Sequence, residues 1–346
     1  MTHLDIEDFI ALADYLRRRG LSPDGTVPCF EKLEGGVSNR TVLVRFPAGR
    51  AWVLKQALPK LRVAVDWFSD PERIHREARA LHWYARLAPR GSVPGLLFED
   101  REHHLLGMEA VPQPHQNWKN ALLRGELQRG HFEQFGTLLG LVHRQAAAHP
   151  DIRREFADTS FFESLRLEPY YLYSAEQVPE AADFLHHLVA DTRARPVTLV
   201  HGDYSPKNIL VHNDRLVLLD YEVAHFGDPA FDLGFSLAHF CSKAHHQPDL
   251  RLAFAGAAEL YWRAYCGAIG IDRHEGPNAG WAQGLEPRAV RHTLGCVLAR
   301  VAGRSPLEYL DSVERSRQRA AVIALISSPP PTVPGLIAEF LARLES

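Results

Sequence analysis

Strand-like hydrophobic alternation is concentrated in the first 110 residues and helical spacing dominates the rest, and this shift limits the fold more than any other feature. Apolar and polar positions alternate over residues 30–54, which predicts three antiparallel strands, and a further hairpin is predicted over 95–111. Helical spacing of apolar residues predicts one helix before these strands and one inserted between them. Beyond residue 110 most segments have helical spacing. The sequence therefore predicts an α+β fold with a strand-rich unit over 1–110 and a mostly helical unit over 111–346.

Charge and cysteine usage argue against several classes of protein. The 346 residues carry a formal charge of -3, which provides no electrostatic reason to bind nucleic acid. The first 20 residues include acids where a signal peptide would be basic, and no apolar run is long enough to span a membrane. The four cysteines form no CxxC pair, which disfavours a zinc site or a disulfide framework. We expect a cytoplasmic protein.

Residues 199–222 combine strand-like runs with unusual polar chemistry. Asp203 follows a predicted strand, Asn208 follows five residues later, and Asp220 ends the next apolar run. Each of them alone would be an ordinary turn residue. A hairpin between the two runs would bring Asn208 and Asp220 together, and their oxygens suit Mg²⁺. Phosphoryl transfer needs such metal ligands and a carboxylate at the attacking hydroxyl, which predicts Asp203 as the catalytic group.

The same residues resemble a known superfamily. "HGDYSPKN" (201–208) followed by "LLDYE" (218–222) is similar to the signature of the aminoglycoside phosphotransferase and choline kinase superfamily, whose fold resembles that of protein kinases. "LEGGVSNRTVLV" resembles its phosphate-covering loop, "WVLKQA" its lysine strand, "HREARAL" its glutamate helix and "LLGMEAV" its hinge. The resemblance implies a two-lobed, protein-kinase-like fold that uses ATP and Mg²⁺. The nucleotide-binding residues that it implies are Gly35, Gly36, Ser38, Asn39, Lys55, Glu77 and Glu109.

Three further residues acquire expected roles from this resemblance. Glu222 adds a second carboxylate to the metal site, because the chain has DYE where protein kinases have DFG. His201 and Asp232 are expected to brace the catalytic loop. A helix pattern follows Asp220 almost at once and leaves no room for an activation segment, so we expect a small-molecule hydroxyl substrate rather than a protein.

The acceptor is less sharply defined by the sequence. "KQALP" (55–59) and the segment 292–310 resemble 5-methylthioribose kinases, which suggests a neutral, pentose-like sugar oriented by Arg300. Equally, Arg300 could pair with a carboxylate and never meet substrate. Choline/ethanolamine kinase, aminoglycoside kinase and a nucleotide-binding pseudoenzyme stay as alternatives, and an aromatic cage from Tyr261, Trp262 and Tyr265 would favour choline. The oligomeric state is left open, with a homodimer as one option.

Overall fold

Five antiparallel strands form the sheet of the N-terminal part. The computed structural model describes residues 4–22, 26–34, 36–47, 49–62, 66–271 and 280–345. The strands pair in the order β1-β2-β3-β5-β4, where the strands are β1 (Cys29–Lys32), β2 (Asn39–Arg45), β3 (Ala51–Ala57), β4 (Leu96–Asp100) and β5 (Leu105–Glu109). Lys55 lies on the central strand, opposite Thr41 on β2 and Leu106 on β5. The predicted alternation therefore produces the predicted sheet.

Two helices accompany this sheet. Helix α1 (Phe9–Arg18) begins after Asp8, whose side chain accepts hydrogen bonds from two backbone N–H groups of the first turn. Its buried face, which includes Leu12 and Leu16, packs in one apolar cluster with the sheet. Helix α2 (Arg73–Leu87) is the insertion between β3 and β4. Asp70 and Pro71 precede this helix, and their sequence predicts an N-cap at Asp70; this prediction is wrong, because Asp70 accepts a hydrogen bond from the N–H of Glu72 in a turn before the helix.

The C-terminal part is mostly helical. Its helices are α3 (Trp118–Leu123), α4 (Arg129–Ala147), α5 (Pro150–Glu155), α6 (Ser160–Phe162), α7 (Tyr173–Gln177), α8 (Ala182–Arg193), α9 (Ala230–His246), α10 (Arg251–Ile269), α11 (Leu285–Ala302), α12 (Ser312–Ile326) and α13 (Val333–Glu345). A π-helical stretch, Glu163–Leu172, joins α6 to α7. Five short strands interrupt the helices: β6 (Gln116–Asn117), β7 (Thr198–Val200), β8 (Ile209–His212), β9 (Arg215–Leu218) and β10 (His225–Gly227). Within the described ranges, no helix is long and apolar enough to cross a membrane.

Close helix packing builds the larger core. Helices α4 and α10 approach so tightly that a Cβ on Gly136 would lie 2.3 Å from the carbonyl oxygen of Tyr261. Helix α9 packs against α11 as well as α10, and its residues are almost all buried. One cleft of about 1060 Å³ is lined both by the sheet and by the helical part. This arrangement confirms the predicted α+β, kinase-like fold class.

Candidate active site

Asp232 holds the loop that follows β7. Asp232 is fully buried near the N-terminus of α9 and accepts hydrogen bonds from the backbone N–H of His201 at 2.7 Å and of Gly202 at 2.8 Å. The His143 ring lies 3.3 Å from the same carboxylate. Although burial raises the pKa of Asp232, these partners lower it below its ordinary value. An ionised, buried carboxylate therefore secures the loop backbone.

His201 connects the loop to the end of β9. Its Nδ1 accepts from the N–H of Asp203 at 3.2 Å, so Nε2 carries the proton and donates to the carbonyl of Leu219, also at 3.2 Å. Burial lowers the pKa of His201, despite the neighbouring carboxylates, and keeps the ring neutral. Both ring nitrogens are occupied by backbone groups, which favours a bracing role over proton transfer.

Gly202 allows the loop to turn in front of Asp203. Its φ is +77°, a region that residues with a side chain rarely adopt. A Cβ at this position would also lie 2.9 Å from Cγ2 and 3.0 Å from the carbonyl oxygen of Val223. Glycine is therefore required here both by conformation and by space.

The two oxygens of the Asp203 carboxylate have different surroundings. Oδ2 accepts from Nδ2 of Asn208 at 2.8 Å and from Nη2 of Arg166 at 2.9 Å. Oδ1 has no hydrogen-bond partner among the residues that the structure describes. Asp203 lines the cleft. One oxygen is thus held in place while the other is available to a ligand.

Arg166 was missed by the sequence analysis. It lies in the π-helical stretch and donates from Nε to the carbonyl of Gly202 at 2.7 Å, as well as pairing with Asp203. Burial opposes its charge, but Asp203 more than compensates and raises the pKa of the guanidinium. In the sequence, Arg166 is recognisable only as a basic residue within an otherwise apolar helical run. Such residues commonly extend their charged head groups to water, so the pattern does not indicate a role in the site.

A buried lysine joins the sheet to the helical part. Lys55 Nζ lies 2.7 and 2.8 Å from the two carboxylate oxygens of Glu77 on α2, and 2.7 Å from Oδ1 of Asp220. Burial alone would lower the pKa of Lys55, but the attraction of Asp220 and Glu77 raises it. Burial would raise the pKa of Asp220, but Lys55 and Lys207 hold it well below its ordinary value. The lysine and Asp220 are therefore both charged.

Asn208 lies beside the end of β9, as the predicted hairpin requires. Strands β8 and β9 pair from Ile209 with Leu218, and the N–H of Leu219 donates to the carbonyl of Asn208 at 2.9 Å. Asp220 follows with a φ of +70°, which is uncommon outside glycine but tolerated by aspartate. Both Asn208 and Asp220 line the cleft.

Glu222 is linked to the predicted phosphate-covering loop. Its Oε2 accepts from Nε of Arg73 at 3.1 Å and from Nδ2 of Asn39 at 3.3 Å. Arg73, fully buried at the start of α2, also donates to the carbonyl of Ser38. The sequence analysis missed Arg73, since its partners lie far along the chain. Through this arginine, Glu222 and the loop around Ser38 form one network.

The other predicted nucleotide residues face the same cleft. Gly36, Ser38, Asn39 and Glu109 line it, and Gly35 lies outside the described residues. Asn39 Oδ1 is buried and has no hydrogen-bond partner in the described part of the chain. A buried acceptor without a donor is costly, so a bound ligand or cation would stabilise it. The donor set of this cleft fits a nucleotide with a metal ion.

Arg300 lines the same cleft from α11. It lies in the last turn of α11, is 9% exposed, and donates from Nη1 to the hydroxyl of Tyr170 at 2.8 Å and to the carbonyl of Ser305 at 2.7 Å. No carboxylate of the described ranges lies within ion-pair distance of Arg300. The alternative that Arg300 only pairs with a carboxylate is therefore not what the structure contains.

A second group of ligand atoms lies outside the cleft. Glu72, His75 and His104 bring one ligand atom each within 4.8 Å of the others, and none of the three lines the cleft. His75 also lies 2.6 Å from Glu99. This group is separate from the arrangement around Asp203 and Asp220.

Comparison with known proteins identifies the family. Residues 29–276 match the APH profile, described as the phosphotransferase enzyme family, and this range includes the loop at 36–39, Lys55 and the whole of 199–222. The chain belongs to the phosphotransferase enzyme family. Members of this family use ATP and typically a divalent metal ion. The predicted superfamily is thereby confirmed.

Individual relatives of this phosphotransferase are distant. It is 26% identical over 259 residues to a methylthioribose kinase of Pectobacterium atrosepticum, covering 65% of this chain and 63% of that protein. It is 28% identical over 246 residues to methylthioribose kinase 1 of Oryza sativa subsp. japonica, covering 61% and 56%. The chain thus covers less than two thirds of the length of these relatives.

A solved structure supports the fold. A choline/ethanolamine kinase family protein from Mesorhizobium loti superposes with a TM-score of 0.54, covering 96% of this chain and 98% of that one at 19% identity. At that identity the likeness establishes the fold alone. The acceptor has to be argued from the residues of the cleft.

Proposed function

We propose that this phosphotransferase is an ATP-dependent small-molecule kinase that transfers the γ-phosphoryl group to a hydroxyl of a small metabolite. The observation that carries the proposal is the carboxylate of Asp203, which has one oxygen fixed and the other available within the cleft that also contains Lys55 and Asp220. A carboxylate in this position can accept a hydrogen bond from the attacking hydroxyl and orient it towards the phosphate.

The nucleotide would lie against the sheet, in the unit proposed to span 1–110. Lys55, oriented by Glu77, would contact the nucleotide phosphates, and the backbone of the loop with Gly36, Ser38 and Asn39 would cover them. Glu109, the last residue of β5, would lie near the base. The unpartnered Oδ1 of Asn39 supports a ligand at this point.

Mg²⁺ is the proposed metal, held by Asn208, Asp220 and Glu222 from the unit proposed to span 111–346. The low pKa of Asp220 keeps a charged oxygen donor in the cleft, and amide and carboxylate oxygens suit this hard cation. When bound, the metal would neutralise charge on the transferred phosphoryl group. His201 and Asp232 would brace the loop that carries Asp203.

The acceptor is proposed to be a polyhydroxylated molecule with a pentose-like skeleton, as the names of the methylthioribose kinases suggest. A choline kinase would need an aromatic cage for its cation. Tyr261, Trp262 and Tyr265 are instead buried in α10, and none of them lines the cleft. The intact set of Lys55, Asp203 and Asp220 argues against a pseudoenzyme.

The same proposal includes a cytoplasmic location. It is supported by the four cysteines, none of which forms a disulfide within the described residues and two of which are buried. Neither nucleic acid nor a membrane is proposed as a partner.

The function is tested with purified protein, Mg-ATP and a panel of methylthioribose, ribose, choline and kanamycin. Product formation is followed as the mass gain of one phosphoryl group, with Asp203→Asn as the inactive control. Nucleotide binding with no phosphorylated product from a broad metabolite pool would contradict the proposal and favour the pseudoenzyme.

A further inference from the structure

The far end of the cleft, beyond Asp203, is rich in positive charge. The cations that line it are Lys119, Arg166, Lys207, Arg300 and Arg304. The helical part contributes three carboxylates to the described lining, Asp203, Asp220 and Glu222, and of these Asp203 pairs with a cation of this group. We call this group of five cations and the residues between them the basic corner.

Two cations of the basic corner are already neutralised. Arg166 pairs with Asp203 at 2.9 Å, and Lys119 pairs with Glu308. Arg300, Arg304 and Lys207 have no carboxylate within ion-pair distance in the described part of the chain, although Lys207 helps to lower the pKa of Asp220 and Arg300 that of Glu308 from farther away. The corner therefore carries an excess of positive charge that faces the cleft.

Arg300 is the strongest of the three as a ligand-binding group. It is more than nine-tenths buried, its Nε has no partner among the described residues, and its bonds from Nη1 go only to neutral oxygens. A guanidinium removed from water and left without a counter-ion is costly, and the cost is offset when an anion binds to it. Its planar fork suits the two oxygens of a carboxylate or phosphate.

Neighbouring groups respond to this charge. Burial, with help from Arg300, Lys243 and Lys119, lowers the pKa of His239 well below its ordinary value. Lys243 is fully buried behind the corner, where burial, Lys119 and Arg300 lower its pKa to about 7. Burial is the larger cause of both shifts, and the neighbouring cations add to it.

His239 completes the corner as a neutral polar group. It is 5% exposed, lines the cleft and makes no hydrogen bond to any described residue. A neutral imidazole can donate to or accept from a hydroxyl. The corner therefore combines cations for an anion with a group suited to a nearby hydroxyl.

The order of residues separates Arg300 from the proposed nucleotide site. The ring of Tyr170 lies between two guanidinium groups, 5.7 Å from that of Arg166 and 5.6 Å from that of Arg300. Arg166 contacts Asp203, so Arg300 lies two side chains beyond the proposed catalytic carboxylate. Lys55 and Glu77, by contrast, pair with each other on the sheet side. A group bound at Arg300 belongs to the acceptor rather than to the nucleotide.

We propose that the basic corner binds an anionic group, a carboxylate or a phosphate, so that the acceptor is an anionic polyhydroxylated metabolite. That the bound anion belongs to the phosphate acceptor rests on the proposed function, but anion binding itself can be measured without turnover. It differs from the neutral sugar expected from the sequence, and it disfavours choline and aminoglycosides, whose positive charges the corner would repel.

The test uses matched pairs of compounds that differ in one anionic group. Gluconate is compared with glucose, glycerate with glycerol, and ribose 5-phosphate with ribose. Binding is measured by calorimetry on the full chain with Mg²⁺ and a non-hydrolysable ATP analogue, and phosphorylation is measured separately with Mg-ATP. We expect at least one anionic member to bind about 10- to 100-fold more tightly than its neutral partner, since hydrogen bonds to charged groups are worth that much. The carboxylate and phosphate pairs decide which anion is preferred.

Variants identify the residues responsible. Arg300→Gln should remove most of the preference for the anionic member. Arg304→Gln, on an exposed side chain whose guanidinium lies 5.0 Å from the centroid of the Tyr173 ring, should reduce the preference by about threefold to tenfold. Arg317→Gln is the matched control, because Arg317 is exposed and does not line the cleft. The thermal unfolding of each variant is recorded so that misfolding is recognised.

Three outcomes are decisive. The inference is overturned if no anionic compound binds more tightly than its neutral partner. It is also overturned if Arg300→Gln and Arg304→Gln weaken binding of the ATP analogue as much as binding of the anion, because the corner would then serve the nucleotide. Anion binding that depends on Arg300 and Arg304, without phosphorylation of any of the six compounds, would support the anion site, and the proposed kinase activity would be refuted if the broad metabolite pool also gave no phosphorylated product.

Discussion

Replacing Asp203 by asparagine should abolish turnover while leaving the fold almost unchanged. The substitution keeps the shape of the side chain. Its amide oxygen can take the place of Oδ2 and still accept from Asn208 at 2.8 Å and from Arg166 at 2.9 Å. The new NH₂ group then takes the place of Oδ1 in the cleft. The substrate hydroxyl would therefore meet a hydrogen-bond donor where the wild-type side chain offers a hydrogen-bond acceptor.

The expected magnitudes differ between stability and rate. A charge-assisted hydrogen bond contributes about 1.5–3 kcal/mol and a neutral one about 1 kcal/mol, so weakening the pair with Arg166 should lower the free energy of unfolding by about 1–2 kcal/mol. Loss of a general base or orienting group costs about 10²- to 10⁴-fold in rate, which corresponds to about 2.7–5.5 kcal/mol in the activation free energy. The rate should therefore fall far more than stability does.

The assay measures kcat and KM with Mg-ATP and the best acceptor, together with nucleotide affinity and urea unfolding. Asp214→Asn provides a matched control, because the same chemical change is made in the turn between β8 and β9 on a side chain that is 87% exposed. The control should keep wild-type kinetics. We expect Asp203→Asn to bind nucleotide within about threefold of wild type.

Two results would refute this reasoning. Retention of more than about a tenth of the wild-type kcat by Asp203→Asn would exclude a base or orienting role. A loss of nucleotide affinity as large as the loss of kcat would instead mean that Asp203 acts mainly on nucleotide or metal binding.

Further predictions concern the metal, the buried lysine and the response to acid. Asp220→Ala should weaken Mg-nucleotide binding by about 100-fold or more and Asn208→Ala by about tenfold, because the first variant loses a charge and the second only a dipole. Equal losses of affinity in calorimetry would count against the shared metal site. Lys55→Met should lower the free energy of unfolding by about 3–5 kcal/mol, because it leaves Glu77 buried without its partner. The double variant with Glu77→Leu should regain much of the lost stability. Urea unfolding that shows no such gain would contradict the pairing. Burial, with Arg288 and Arg291, lowers the pKa of His292 to about 3, so the unfolded chain, with an ordinary pKa near 6.5, takes up a proton first. The stability that His292 contributes is therefore complete above about pH 6.5 and falls as the pH drops towards 3, with a loss of about 2 kcal/mol at pH 5. The free energy of unfolding of His292→Gln should depend less on pH by this amount. An unchanged pH dependence of the variant in urea unfolding would rule the effect out.

The residues that escaped the sequence analysis share one property. Arg166 contacts Gly202, 36 residues away, and Arg73 contacts Glu222, 149 residues away. Neither arginine belongs to a motif with a fixed spacing, and an arginine on a helix usually places its head group in water. Only the packing of α2 and the π-helical stretch against the cleft gives these two residues charged partners.

The sequence by itself determined the strand and helix pattern, the family and the identity of the loop that contains Asp203 and Asn208. These features depend on short-range spacing, since a period of two or 3.6 residues and a five-residue interval can be recognised without knowing what packs against them. The tertiary structure alone decided which oxygen of Asp203 is free, that Lys55 reaches Asp220 across 165 residues, and that Arg300 has no carboxylate partner in the described chain. Contacts of this kind form only when distant segments are packed together, because burial and the nearest charge, rather than chain order, decide how a polar side chain is used.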